Sequence, residues 1–282
     1  MGTELNAKAI EIVKDFKGVP ETMLLTGYAK ALDNRSMNPI LGDALADQVV
    51  SQLEKIRPIK VSKEDILGTA FRAKQFDEWV KTFIYRHPNA IVLNLACGID
   101  ARIYRVNPPP TASWFDYDFP QTIELRRLIF PERAGDAYQM IPQSVTADGW
   151  LDAVPFAQDR PVCLIAEGLF MYLSKKEVET TLGQVLGHAP SGEIIFDAVN
   201  SLGARLGHYH PAIRAAGAKF DWGIDQPQSL EMLDPRLKFV TQATLADTPA
   251  MAQQSRRIRM AWSMFDRIPY IRSMIQFLKY KF

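Results

Sequence analysis

Acidic side chains stand just past several short apolar runs of this chain: Asp100, Asp118, Asp148 and Glu167. Gly98 precedes the first of them, in Asn94-Leu-Ala-Cys-Gly98-Ile-Asp-Ala-Arg102. A glycine at such a place lets the backbone turn sharply and approach a ligand. Asp118 follows Gly98 by twenty residues, a distance at which an acid commonly holds the ribose hydroxyls of an adenosine cofactor. These two features alone fit a nicotinamide dinucleotide, and so an oxidoreductase, as well as S-adenosylmethionine. The acids favour the second. A pyrophosphate needs helix N-terminal amides clear of carboxylates, whereas a sulfonium with an α-amino group is doubly cationic. Each acid singly reads as a helix cap or loop residue; their recurrence after successive runs is the signal.

His208-Tyr209-His210 is a base-like cluster that would help a hydroxyl acceptor lose its proton. A carboxylate acceptor needs no such base. Two histidines two residues apart without a third ligand make no metal site. His188 suits a helix end, and His87 precedes a proline. Cys97 and Cys163 lie in apolar runs, as buried reduced thiols of a cytoplasmic protein would.

The elements that must carry these residues follow from periodicity. Ile91–Ala96, Pro161–Ala166 and Glu193–Ala198 are nearly continuous apolar runs of strand length, as expected of a parallel sheet covered on both faces. Ser113–Asp118 and Tyr138–Val145 are further strands. Ser174-Lys-Lys-Glu177 is a capping box opening a helix with Val178, Leu182, Val185 and Leu186 on one face. Gln121–Phe130 is a shorter helix. The first 90 residues read as helical. Leu41, Leu45, Val49 and Leu53 recur every four residues, and Ser62 caps a helix that Pro88 ends. Residues 201–236 form an irregular insertion. Leu237–Thr241 and Arg257–Met264 are predicted closing strands, and the basic, aromatic stretch 255–282 a solvated sheet edge and tail.

The alternation predicts an α/β fold with a doubly wound, mostly parallel sheet. We expect one domain: a helical cap (1–90), a cofactor-binding sheet (91–200), a substrate-side insertion (201–236), and closing strands with a tail (237–282). With 33 Lys and Arg against 32 Asp and Glu, the net charge of +1 gives no reason for bulk nucleic-acid binding. At 47% hydrophobic the 282-residue chain is not disordered. No apolar stretch approaches the roughly 20 residues of a membrane span, so stable membrane association is not expected. The opening MGTELNAKAI lacks a signal-peptide core, and Asn6 stands where myristoylation after Gly2 wants Ser or Thr.

The segments Val92–Arg102, Trp114-Phe-Asp-Tyr-Asp118-Phe-Pro120 and Glu167-Gly-Leu-Phe-Met-Tyr172-Leu resemble the leucine carboxyl methyltransferase family in order and spacing. They are closest to its bacterial branch that includes O-methyltransferases of polyketide synthesis. Phe71-Arg72-Ala-Lys-Gln-Phe76-Asp77 matches that family's upstream arginine motif. The departure is Ala96-Cys97-Gly98, where the family often has two glycines. The resemblance implies a class I S-adenosylmethionine-dependent methyltransferase with a Rossmann-like seven-stranded sheet. It would methylate a carboxylate or hydroxyl of a small, polyketide-like molecule. The roles implied are Arg72 on the cofactor carboxylate, Ala96 and Gly98 in the cofactor loop and Asp118 on the ribose. Ala147 and Asp148 would face the adenine, Glu167 the methionine amino end and Tyr172 the substrate. A non-catalytic relative that keeps the fold is the remaining reading.

Overall fold

The computed structural model describes the chain apart from residues 1–6, 17–18, 132, 134, 136, 216, 253, 255, 257–258 and 261–267. Four helices come first: α1 (Ala7–Asp15), α2 (Val19–Asn34), α3 (Ala44–Leu53) and α4 (Lys63–Arg86). Asp43 caps α3, so Leu41 lies outside it and the apolar stripe begins later than its period suggested. The Ser62 hydroxyl accepts from the Asp65 N–H to open α4.

Strands and helices then alternate: β1 (Ile91–Leu95), α5 (Arg102–Val106), β2 (Ser113–Asp118), α6 (Pro120–Ile129), β3 (Tyr138–Pro142), β4 (Val162–Ala166), α7 (Lys175–His188) and β5 (Gly192–Val199). β3 ends at Pro142, short of Val145, since proline brings no donor to a ladder. Both arms of the capping box of α7 are formed. The insertion holds more helix than its composition suggested, in α8 (Ser201–Leu206), α9 (Pro211–Ala215) and two 3₁₀ turns. β6 (Lys238–Ala243) and β7 (Ile275–Lys281) close the sheet.

The strand order is β3-β2-β1-β4-β5-β7-β6, parallel except for the antiparallel β7. The last strand therefore corrects the expectation. The stretch 257–264 lies mostly outside the described residues, and Arg259 and Met260 within it are helical. Residues 275–281, read as edge and tail, form an interior strand instead, and β6 is the edge. Gln276, Phe277, Leu278 and Tyr280 are buried on both faces of β7. Lys279 lies over the Trp79 ring, so its charge disguised an inner strand as a solvated one.

Alternate residues of the central strands serve two cores. Leu93, Leu95, Leu164 and Ile194 pack with Leu182 of α7 and with Trp150 and Trp222. Val92, Cys163, Ile165 and Ile195 pack with Phe71, Phe76 and Val80 of α4. A third cluster joins α1, α2 and α3 to Ile99, Ala101 and Leu125, which seats the helical cap on the loop after β1. The order reverses between β1 and β4, and ligands of doubly wound sheets bind beyond the strand ends at that point.

Candidate functional site

A cavity of about 570 Å³ opens beyond the carboxyl ends of β1, β2, β4 and β5. Its floor is the loop after β1, where Ala96 and Gly98 both hold positive φ, +49° and +50°. The Gly98 N–H donates to Asp118 Oδ2 at 2.7 Å and the Phe119 N–H to Oδ1 at 2.8 Å. These bonds tie the floor to the end of β2. Burial outweighs them, together with the Thr122 hydroxyl, and raises the Asp118 carboxyl above its ordinary range. The loop is also held from behind. Arg126 of α6 donates through Nη1 to the carbonyls of Gly98 (2.7 Å) and Asp100 (2.8 Å), and through Nη2 to Asp116. Asp116 accepts in addition from Asn94, Trp114 and Tyr138.

Alanine in the left-handed region is strained, and glycine is not. Part of the gain is lost to glycine's greater freedom in the unfolded chain. Ala96→Gly is therefore expected to stabilise the protein by up to about 1 kcal/mol, read as a raised Tm; an unchanged or lowered Tm would count against strain at this position.

Of the strand-end acids, Asp100 and Glu167 do not line the cavity as free negative charge. Asp100 lies 3.0 Å from Lys30 Nζ, 2.7 Å from Arg105 and 3.2 Å from Arg102. Glu167 accepts from Arg72 Nε at 3.1 Å and from Arg102. Asp197 accepts from Arg72 Nη1 at 2.8 Å and from the Gly168 N–H at 2.6 Å. Asp77 and Asp43 complete the cluster through Arg102 and Arg105. Lys30, Arg72, Arg102 and Arg105 thus face Asp43, Asp77, Asp100, Glu167 and Asp197, one acid in excess. Burial opposes ionisation of Glu167, but Lys30, Arg102 and Arg72 prevail and hold its pKa down at about 2. Asp100 is likewise held well below the usual range by Arg105, Lys30 and Arg102 against burial. Asp197 differs: burial wins over Arg72 and raises it.

The far end of the cavity is roofed by α2, α8, α9 and Phe220. Tyr172 packs edge-on against Phe220, with centroids 5.3 Å apart. Burial pushes its hydroxyl up to about 12, against the pull of a hydrogen bond with Thr22 and of the Arg72 charge. His210 also lines this end, its Nε2 3.1 Å from Asp65 Oδ1.

Of the residues singled out in the sequence, Arg72, Ala96, Gly98, Asp118, Glu167, Tyr172 and His210 line this one cavity. Ala147, Asp148 and His208 are not brought to it. Asp148 is exposed on the loop after β3, and His208 packs at a tilt against Tyr209 and lines a separate recess with Arg205, Lys219 and Asp221. Lys30, Asp65, Asn94 and Asp197 line the cavity and escaped the sequence reading. Asp197 lies inside β5, two residues before its end, so a rule that looks just past each strand passes over it. Lys30 sits in an α2 pattern that marks no functional face. Cys97 also lines the cavity, and burial holds its thiol well above the ordinary value, so it offers no thiolate. Among the described residues, no group of three or more His, Cys, Asp or Glu side chains could hold a metal, and no helix is long and apolar enough to cross a membrane.

A family model described as leucine carboxyl methyltransferase matches residues 24–186. The tetracenomycin polyketide synthesis O-methyltransferase TcmP of Streptomyces glaucescens is 41% identical over 94% of this chain and 97% of its own. The S-adenosyl-L-methionine-dependent methyltransferase dpfgK of Gibberella zeae is 33% identical over 79% of this chain and 80% of its own. Among solved structures, a DUF574-family protein of Streptomyces avermitilis superposes with a TM-score of 0.57 at 11% identity, covering 90% of this chain and 96% of its own. A Thermobifida fusca protein described as a candidate methyltransferase gives 0.55 at 14% identity, over 89% and 93%. At these identities the two structures bear on the fold alone, the class I Rossmann-like sheet.

Proposed function

Because this chain belongs to the leucine carboxyl methyltransferase family and is an S-adenosyl-L-methionine-dependent O-methyltransferase, we propose that its acceptor is the carboxylate of a small, largely apolar, polyketide-like molecule. S-adenosyl-L-methionine supplies a methyl group already activated on a sulfonium. The cavity's residues fit it. Arg72 commits Nε and Nη1 to Glu167 and Asp197 and leaves Nη2 without a partner among the described residues. That nitrogen binds the cofactor carboxylate in this reading. Asp118 binds the ribose, for which its oxygens keep lone pairs beyond those taken by two backbone N–H groups and the Thr122 hydroxyl. Gly168 holds φ +69°, and a Cβ there would meet only the Arg72 guanidinium, at 3.9 Å, so the backbone lies open to the methionine end.

The observation that carries the carboxylate is the state of the cavity's own bases. An alcohol or phenol must lose a proton to accept a methyl group, and a carboxylate need not. Tyr172 stays protonated at neutral pH. Asp100, Glu167 and Asp197 are each bonded to a cation, and His210 is paired through Nε2 with Asp65, which raises its pKa and favours the imidazolium over the free base. The apolar wall of Leu169, Met171, Leu206, Ile213 and Met274 suits the acceptor's body. The protein's contribution is then alignment, bringing oxygen and methyl carbon to about 3–3.5 Å. The name of the Streptomyces relative supports the polyketide class. We propose further that the chain acts as one domain in the cytoplasm, a reading supported by its two buried, free cysteines.

The test is methyl transfer from labelled cofactor to paired aromatic acids and phenols. Base-labile methyl esters are expected. Base-stable ethers as the sole products would remove the carboxylate and leave the O-methyltransferase.

A further inference from the structure

Asp65, Thr69 and Arg72 of α4 all line the cavity. Their spacings of four and three put them on one helical stripe. At 1.5 Å per residue, Asp65 stands about 10 Å along the axis from Arg72. Arg72 marks the sheet end, beside Glu167 and Asp197. Asp65 therefore marks the opposite, acceptor end. There it meets His210 of the insertion, with Nε2 3.1 Å from Oδ1. The other Asp65 oxygen accepts from the Ser62 hydroxyl at 2.7 Å, so the helix cap fixes the carboxylate. The remaining wall at this end carries Thr22, Leu206, Ile213 and Phe220, none of them charged.

We infer that His210, as an imidazolium braced by Asp65, clamps one oxygen of the acceptor's carboxylate and leaves the other to take the methyl group. The inference rests on the carboxylate reading above. Nε2–H is spent on Asp65, and Nδ1–H is the ring's remaining donor. His210 touches the acceptor, and Asp65 is a positioning residue. A clamp and a general base make opposite demands on pH. Asp65 raises the His210 pKa above its ordinary 6.5 against the effect of burial. The positive charge is present below the raised midpoint and lost as pH rises through it. A clamp therefore weakens with rising pH, whereas a base would gain. The other charged groups of the surrounding elements are spent or lie outside the cavity lining. Lys30 of α2 serves Asp100 and Glu167, Arg72 of α4 serves Glu167 and Asp197, and His208 and Arg214 are exposed.

The chain has only four histidines, so the imidazole of His210 can be followed by nitrogen NMR on the S-adenosylhomocysteine-saturated enzyme. The probes are 2-naphthoate and 2-naphthol. Naphthoate is expected to raise the His210 midpoint by about one pH unit, the reciprocal of a roughly tenfold preference of the probe for the imidazolium. Naphthol should leave it in place. Asp65→Asn should lower the midpoint and weaken naphthoate about tenfold, and His210→Gln should weaken it about ten- to hundredfold. A midpoint unmoved by naphthoate, bound or not, overturns the clamp, as does a midpoint indifferent to Asp65→Asn. Naphthoate methylated despite an unmoved midpoint leaves the carboxylate reading standing without the clamp. Naphthol alone bound and methylated overturns both.

Discussion

Replacing Arg126 with methionine is expected to cost about 3–5 kcal/mol of stability, the usual penalty for leaving one partner of a buried ion pair uncompensated. Arg126 and Asp116 are each fully buried. Methionine matches the length of the stem and keeps its contact with Phe130, above which the guanidinium carbon sits at 4.9 Å. What it removes is the positive charge facing Asp116 and two donors on the carbonyls of Gly98 and Asp100. For a chain of this size the loss corresponds to a fall in Tm of roughly 10 °C. Adding Asp116→Asn should recover part of it, because the residual amide needs no counter-charge. A double variant no more stable than the single would mean that the carbonyl contacts, rather than the charge, dominate. The single variant should also weaken cofactor binding, since the cavity floor loses its support from behind.

The second large effect is expected at Arg72. Arg72→Met should weaken S-adenosylhomocysteine binding about ten- to hundredfold, the range for a lost hydrogen bond to a charged group. Methylthioadenosine, which lacks the amino-acid end, should bind the variant almost as tightly as the wild type. Equal losses for the two ligands would refute a carboxylate role and leave Arg72 as a strut between Glu167 and Asp197. The variant also strips a cation from two buried acids. Asp197, already raised by burial, should titrate higher still. Asp197→Asn in the same background should then restore stability without restoring affinity, which separates the two functions of the side chain.

The parts of this fold that were legible in the sequence were those with a single environment along their length. β1, β4 and β5 are buried on both faces and read as nearly continuous apolar runs. The caps of α4 and α7 are local chemistry and were legible for that reason. β7 is buried at its centre and exposed at both ends, and Gln276 and Lys279 interrupt its run and find partners far off, in Ile224 and Trp79. The site divides in the same way. Gly98, Asp118 and Glu167 follow from strand ends, and Arg72 from a resemblance in the motif around it. The pairing of the acids does not follow, because it joins residues 95 and 125 positions apart. Without those pairs the strand ends looked like an acidic cleft, whereas the folded cluster is nearly balanced.

The position of β7 between β5 and β6 has a consequence for biosynthesis. β6 is translated before β7, yet β7 is its partner in the sheet. At 5–20 residues per second, the ribosome needs roughly 4–15 s to pass from the end of β5 to the start of β7. During that interval β5, the run Gly192-Glu-Ile-Ile-Phe-Asp-Ala-Val199, shows a bare pairing edge to the cell. Lower growth temperatures and holdase chaperones should therefore raise the soluble yield of this chain.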